Sequence, residues 1–151
     1  MKFSLISHNE KETIKIAKNL ATFLSKGDIV TLNGDLGAGK TTFVKGIAKG
    51  LKIKEAIISP TFNILKIYQS NTIHLYHIDA YRLNESNKDI GLEEYIEGDG
   101  IALIEWPIYI KELLNKKHLD ILLEIKGDKQ RKIIFNAPNK YFANIVKEVI
   151  K

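Results

Sequence analysis

The sequence predicts an α/β fold: a mixed sheet, with a parallel core and antiparallel hairpins, flanked by helices. Three observations predict it. The apolar run Ile29-Val30-Thr31-Leu32 passes through a glycine-rich loop straight into the helical pattern Phe43, Val44, Ile47, Ala48 and Leu51. The stretches Asn63 to Gln69 and Thr72 to Asp79 read as strands separated by little more than Ser70-Asn71, which is too short for a parallel crossover and therefore makes a hairpin. Ile101-Ala102-Leu103-Ile104 is a buried strand that ends abruptly at Glu105-Trp106-Pro107. The expected sheet sets the antiparallel pair beside the strand that enters the glycine loop.

The elements follow in order. Lys2 to Ile6 forms a short edge strand. Ser7 stands three residues before Glu10, a capping box that opens a helix, and Ile14, Ala17, Leu20, Ala21 and Leu24 follow at helical spacing with Gly27 just past the end. Ile57 to Phe62 is extended and broken by Pro60; Leu92 to Ile96 is a short helix ending near Gly98; Ile108 to Leu114 is another. Leu119 to Ile125 and Lys132 to Phe135 pair as a second hairpin, and Tyr141 to Ile150 closes the chain as a helix. No repeat, low-complexity tract or linker divides the 151 residues, so one domain spanning 1–151 is expected.

Composition narrows the function classes. Hydrophobic content of 44% and charged content of 27% are those of a soluble globular protein. No apolar run reaches a membrane span of ~18 residues, and no signal-peptide apolar region stands at the start. The absence of cysteine excludes disulfides and thiolate metal sites, so a cytoplasmic location is expected. The net charge of +5 comes mostly from scattered lysines, 21 of the 23 basic residues, whereas binding a nucleic-acid backbone needs a clustered stripe.

The chemistry concentrates in Gly34-Asp35-Leu36-Gly37-Ala38-Gly39-Lys40-Thr41, a complete G-x-x-x-x-G-K-[ST] loop. Its glycines let backbone N–H groups turn inward around phosphates, Lys40 reaches the β- and γ-phosphates, and the Thr41 hydroxyl is suited to Mg2+. The fold is therefore of the P-loop NTPase type. Two acids end hydrophobic strands, Asp79 and Glu105, and either suits the metal or the attacking water; spacing does not divide the roles. Thr61 lies where nucleotide switches place a γ-phosphate sensor, although Ser59-Pro60-Thr61 alone is a turn. Trp106, the only tryptophan, is a core or rim aromatic by default, and its place beside Glu105 suggests a contact role. His77 reads as structural, and His8, His74 and His118 lack metal spacing. A guanine-reading Asn-Lys-x-Asp is missing, since Asn139-Lys140-Tyr141-Phe142 matches only its first half, so ATP is the expected nucleotide. Arg82 and Arg131 are the only arginines, which favours activation by another protein over the arginine-rich lid of a small-molecule kinase, the competing class.

Gly34 to Thr42, Ser59-Pro60-Thr61-Phe62, His77-Ile78-Asp79-Ala80-Tyr81-Arg82 and Glu105-Trp106-Pro107 together, in this order and spacing, resemble the TsaE (YjeE) family. The resemblance runs from the first helix to at least Pro107 and continues only in outline through the last third. It implies an ATPase with Mg2+ that works with a TsaD-like transferase subunit and a TsaB-like companion. Those partners modify an adenosine beside the anticodon of tRNA with a threonylcarbamoyl group. The TsaE-like protein regulates or resets them and does not itself transfer the group. The resemblance further implies that Lys40 holds the phosphates, with Asp35, Leu36, Ala38 and Thr42 in the same cradle. It makes Thr41 and Glu105 metal ligands, Asp79 and Thr61 catalytic or switch residues, and Trp106 a nucleotide-state or partner contact. It brings Glu10 and Thr13 to the base, and lets Arg131 close the site.

Overall fold

The computed structural model describes residues 1–58, 64–84 and 91–151. In chain order the elements are β1 (Lys2–Ser7), α1 (Glu10–Ala21), β2 (Ile29–Gly34), α2 (Lys40–Gly50), β3 (Leu65–Gln69), β4 (His74–Asp79), α3 (Leu92–Ile96), β5 (Ile101–Glu105), β6 (Leu119–Ile125), β7 (Arg131–Asn136) and α4 (Lys140–Val149). Two 3-10 segments, Tyr81–Asn84 and Pro107–Leu113, follow β4 and β5. No helix among the described residues is long and apolar enough to cross a membrane.

The seven strands form one sheet in the order β1-β7-β6-β2-β5-β4-β3. The four central strands, β6, β2, β5 and β4, are mutually parallel; β3 adds antiparallel at one edge, and β7 and β1 at the other. Both expected hairpins are present. The first does not lie beside β2, as the sequence suggested, because β5 separates it from β4. The strand Ile101–Glu105 is buried at every position, and filling the centre of the sheet with it leaves no apolar residue of that run exposed.

Helices α1, α2 and α4 cover one face, where Leu20, Phe43, Ile47 and Val146 pack on Leu32, Leu103 and Phe135. On the other, α3 and the 3-10 segments bring Leu83, Ile96 and Ile110 onto Ile29, Ile78 and Ile104. Helix α1 is capped by Asn9, whose side chain accepts from the Glu12 N–H at 2.8 Å, and not by Ser7. Ser7 ends β1 with its hydroxyl buried against Thr13 Oγ1 at 2.6 Å, so it is not available to the helix start.

Helices α1 and α2 approach so closely that a Cβ on Gly46 would stand 2.5 Å from Ala17 Cβ and 2.6 Å from the Ile14 carbonyl oxygen. Replacing a helical glycine by alanine ordinarily gains up to about 1 kcal/mol of helix propensity. Here overpacking against backbone, typically about 1–3 kcal/mol, outweighs that gain. Gly46→Ala should therefore lower the urea midpoint of unfolding; a midpoint at or above that of the parent chain would show that the helices are not held at this distance.

Candidate active site

The carboxyl ends of parallel strands are where open α/β sheets bind ligands, because the loops that leave them diverge and open a crevice. Here β5 and β4 end level with one another, Asp79 pairing with Glu105, while Leu32 of β2 lies level with Glu105 and β2 runs two residues further, to Gly34. Glu105 and Asp79 thus stand side by side on the face covered by α2, and His77, two residues before Asp79, shares that face.

The loop from Gly34 to Gly39 joins β2 to α2. Gly39 precedes the helix at φ 103°, a left-handed conformation that a Cβ would strain, and it turns the chain into α2 without a side-chain cap. The first-turn N–H groups of α2 are thereby left without a capping side chain, the arrangement that binds anions. Asp35, Leu36 and Gly37 form the exposed tip, and Ala38 is buried beneath it. Thr41 is exposed on the first turn of α2, and Thr42 is half-buried.

Lys40 is buried and closes the loop on itself: its Nζ donates to the Gly34 carbonyl and lies 4.5 Å from the centroid of the Trp106 ring. Trp106 adopts a left-handed backbone, φ 57° and ψ 51°, directly after Glu105. Its ring is edge-on to Tyr81 at 5.1 Å and stacked with Tyr109 at 6.5 Å. From the far side Arg131, at the start of β7, donates to the Ala38 carbonyl at 3.0 Å and to the Gly37 carbonyl at 3.2 Å. It also donates to Gly127, Asp128 and Gln130 carbonyls, so its guanidinium ties the β6–β7 turn to the loop.

Between that turn and the start of α1 lies a cleft of about 570 Å3, lined by Glu10, Thr13, Gly37, Gly39, Thr42 and Arg131. Residues distant in sequence, Glu10, Thr13 and Arg131, are thus brought to the loop. The Thr13 hydroxyl is already engaged with Ser7 Oγ at 2.6 Å and with the Asn9 carbonyl at 3.3 Å. Thr61 lies outside the described residues.

Glu105 is 5% exposed, and its Oε2 lies 2.7 Å from His77 Nε2. This contact is the part of the site that sequence reasoning missed. The signal was the i, i+2 spacing of His77 and Asp79, which puts both on one strand face; the partner across the sheet was not visible. Burial pushes the Asp79 carboxyl above the usual aspartate range and Glu105 pushes in the same direction, opposed by the Tyr81 N–H at 3.1 Å, His77 and Lys40.

Strand, glycine loop, lysine and helix on a sheet with a parallel core define a P-loop α/β protein. The family described as threonylcarbamoyl adenosine biosynthesis protein TsaE matches residues 7–133, which take in the loop, Asp79, Glu105 and Arg131. This chain belongs to the TsaE family. It is similar to the tRNA threonylcarbamoyladenosine biosynthesis protein TsaE of Bacillus subtilis, 45% identical over 141 residues that cover 93% of this chain and 89% of the relative. The protein of the same name from Treponema pallidum is 39% identical over 130 residues, covering 85% and 96% of the two chains. The crystal structure of Bacillus subtilis YdiB superposes with a TM-score of 0.85 at 39% identity, covering 99% of this chain and 95% of that one. The likeness therefore extends through the last hairpin and α4, beyond the quoted motifs.

The raised Asp79 pKa has a stability consequence of definite sign. A carboxyl whose folded pKa lies above its unfolded value weakens the fold where it is ionised, and this cost disappears as pH falls below the unfolded value. Asp79→Asn, which keeps an oxygen for the Tyr81 N–H, should raise the melting temperature near neutral pH, with the gain shrinking as the solution is acidified. A variant that is less stable than the parent at neutral pH would contradict the desolvation of Asp79.

Proposed function

We propose that this chain is an ATP-binding and ATP-hydrolysing accessory protein of tRNA threonylcarbamoyladenosine biosynthesis, folded as one domain. The observation that carries the reading is the meeting of the loop lysine with the strand-end acids: Lys40 under Trp106, with Glu105 and Asp79 level beside it. The family to which the chain belongs supplies the pathway.

On this reading the triphosphate occupies the loop Gly34–Thr41, where backbone N–H groups and the α2 dipole favour negative charge. Lys40 exchanges its Gly34 carbonyl for phosphate oxygens. The cleft lined by Glu10, Thr13 and Arg131 is of a volume suited to the adenosine. Thr41 and Glu105 are the residues suited to Mg2+, with Asp79 beside them. A cation held by one or two protein oxygens together with substrate phosphates is the usual arrangement for Mg2+. Bound there, Mg2+ would neutralise charge developing on the phosphates. Asp79, with its raised pKa, is suited to orient the attacking water or take its proton. Thr61 is retained as the γ-phosphate sensor.

Turnover is expected to be slow in isolation. Arg131 directs its guanidinium at backbone carbonyls, so it is a strap for the loop and not a finger on the phosphates. The reading assigns the missing stabilisation to partner proteins, a TsaD-like transferase subunit and its TsaB-like companion, which also connect the chain to tRNA. Exposed apolar side chains on and around the loop, Leu36, Tyr81 and Ile108, are suited to such contacts. The chain then works in the cytoplasm, resetting the transferase complex without transferring the group itself.

Two variants and one reconstitution test this. Lys40→Ala should weaken ATP about 10- to 100-fold in equilibrium binding, the loss of a charge-assisted hydrogen bond of roughly 1.5–3 kcal/mol. Glu105→Gln should keep ATP binding at saturating Mg2+ while phosphate release falls about 100-fold or more. Adding the two partner subunits should accelerate release of free phosphate. Unchanged turnover with both partners, or a phosphorylated small molecule as the product, would refute the accessory-ATPase reading.

A further inference from the structure

His77 has no task in the scheme above, yet it is fully buried on β4 against the carboxylate of Glu105. We propose that His77 is a positioning residue: its Nε2–H holds Oε2 of Glu105 and leaves Oε1 as the oxygen presented to the cation that accompanies the phosphates. The inference rests on the ATPase reading for the identity of that cation, and on the geometry of β4 and β5 for the rest.

The register makes the contact. Asp79 lies level with Glu105 and His77 level with Leu103, so His77 is the diagonal neighbour of Glu105 on the same face, a separation that an imidazole spans. At 2.7 Å the contact is short, and both side chains are withdrawn from water, so the carboxylate has little freedom to rotate about its last bond. Among the described residues nothing else holds its second oxygen.

The other ring nitrogen identifies the tautomer. His77 Nδ1 is buried and has no hydrogen-bond partner among the described residues. A proton on Nδ1 would leave one buried donor unpaired and set the Nε2 lone pair against a carboxylate oxygen. A proton on Nε2 satisfies the short contact and leaves only a lone pair bare. A leucine would fill this position without an unpaired nitrogen, so packing alone does not account for a histidine here. What an aliphatic side chain lacks is the donor. The arrangement parallels the way outer hydrogen bonds orient metal-ligating groups, whose loss typically weakens metal affinity or activity about 10- to 100-fold.

The test uses His77→Leu, which removes the donor, and His77→Gln, whose amide nitrogen reaches the place of Nε2. ATP binding in the presence of EDTA should be the same in both variants as in the parent. With Mg2+, His77→Leu should need about tenfold or more Mg2+ to reach half-maximal ATP binding and half-maximal turnover. His77→Gln should recover most of that loss. A Mg2+ requirement unchanged in His77→Leu, in a folded protein, would overturn the proposal, as would His77→Gln behaving like His77→Leu. A second measurement needs no ligand: in the nitrogen-15 spectrum of the nucleotide-free protein, the His77 ring should be protonated at Nε2 and bare at Nδ1. A bare Nε2 would overturn the proposal even if His77→Leu fails to fold. A parent chain that binds no ATP would instead refute the ATPase reading, and the ring spectrum would still decide the His77–Glu105 contact.

Discussion

The register of three parallel strands is the constraint from which the site follows. Leu32, Glu105 and Asp79 stand level across β2, β5 and β4, so the loop that follows Gly34, the Trp106 corner and the Tyr81 turn all leave the same end of the sheet. A slip of one residue in β5 would send the Glu105 side chain to the opposite face, among Ile29, Ile78 and Ile104, and put an uncharged neighbour in its place. Burial of Ile101 to Ile104 on both faces holds the register, since each alternate residue belongs to a different half of the core.

Charge then organises what the register assembles. Lys40, Glu105, Asp79 and His77 share a region largely withdrawn from water, where each group modifies the others more strongly than it would at the surface. The lysine is held by one carbonyl and one indole face, a cation–π contact worth about 0.5–2 kcal/mol. Trp106 reaches that position only through a left-handed backbone, a conformation that costs a bulky residue about 1–3 kcal/mol. Its packing against Tyr81 and Tyr109 offsets part of that cost. Arg131, which fastens the loop from the other side, makes the β6–β7 turn part of the same unit.

What the sequence revealed of the fold and the site follows the range of the interactions. The loop, its strand and its helix were legible because the motif is local: the glycines, Lys40 and Thr41 are neighbours in the chain. Both hairpins were legible because their connections are too short for anything else. The place of β5 between β2 and β4 was not, because an apolar run such as Ile101–Ile104 declares that it is buried and not what lies beside it. The cap of α1 was ambiguous for a related reason: Ser7 with Glu10 and Asn9 with Glu12 have the same spacing. The bond from the Glu12 N–H to the Asn9 side chain, with Ser7 buried against Thr13, shows which one serves the helix. His77 looked structural because its partner lies 28 residues away, across a strand pairing. Glu10, Thr13 and Arg131 came to the site through resemblance, and their common cleft beside Gly37 and Gly39 now gives that grouping a geometry.

We propose that the strand ends, the loop and the cleft form one nucleotide site. A crystal structure of the chain with a non-hydrolysable ATP analogue and Mg2+ decides whether they do. The phosphates should lie within the Gly34–Thr41 loop, with Lys40 Nζ moved from the Gly34 carbonyl onto phosphate oxygen, the cation between Thr41 and Glu105, and the adenine in the cleft of Glu10, Thr13 and Arg131. A nucleotide bound elsewhere, or a Lys40 still closed on Gly34 with phosphates present, would contradict the proposal.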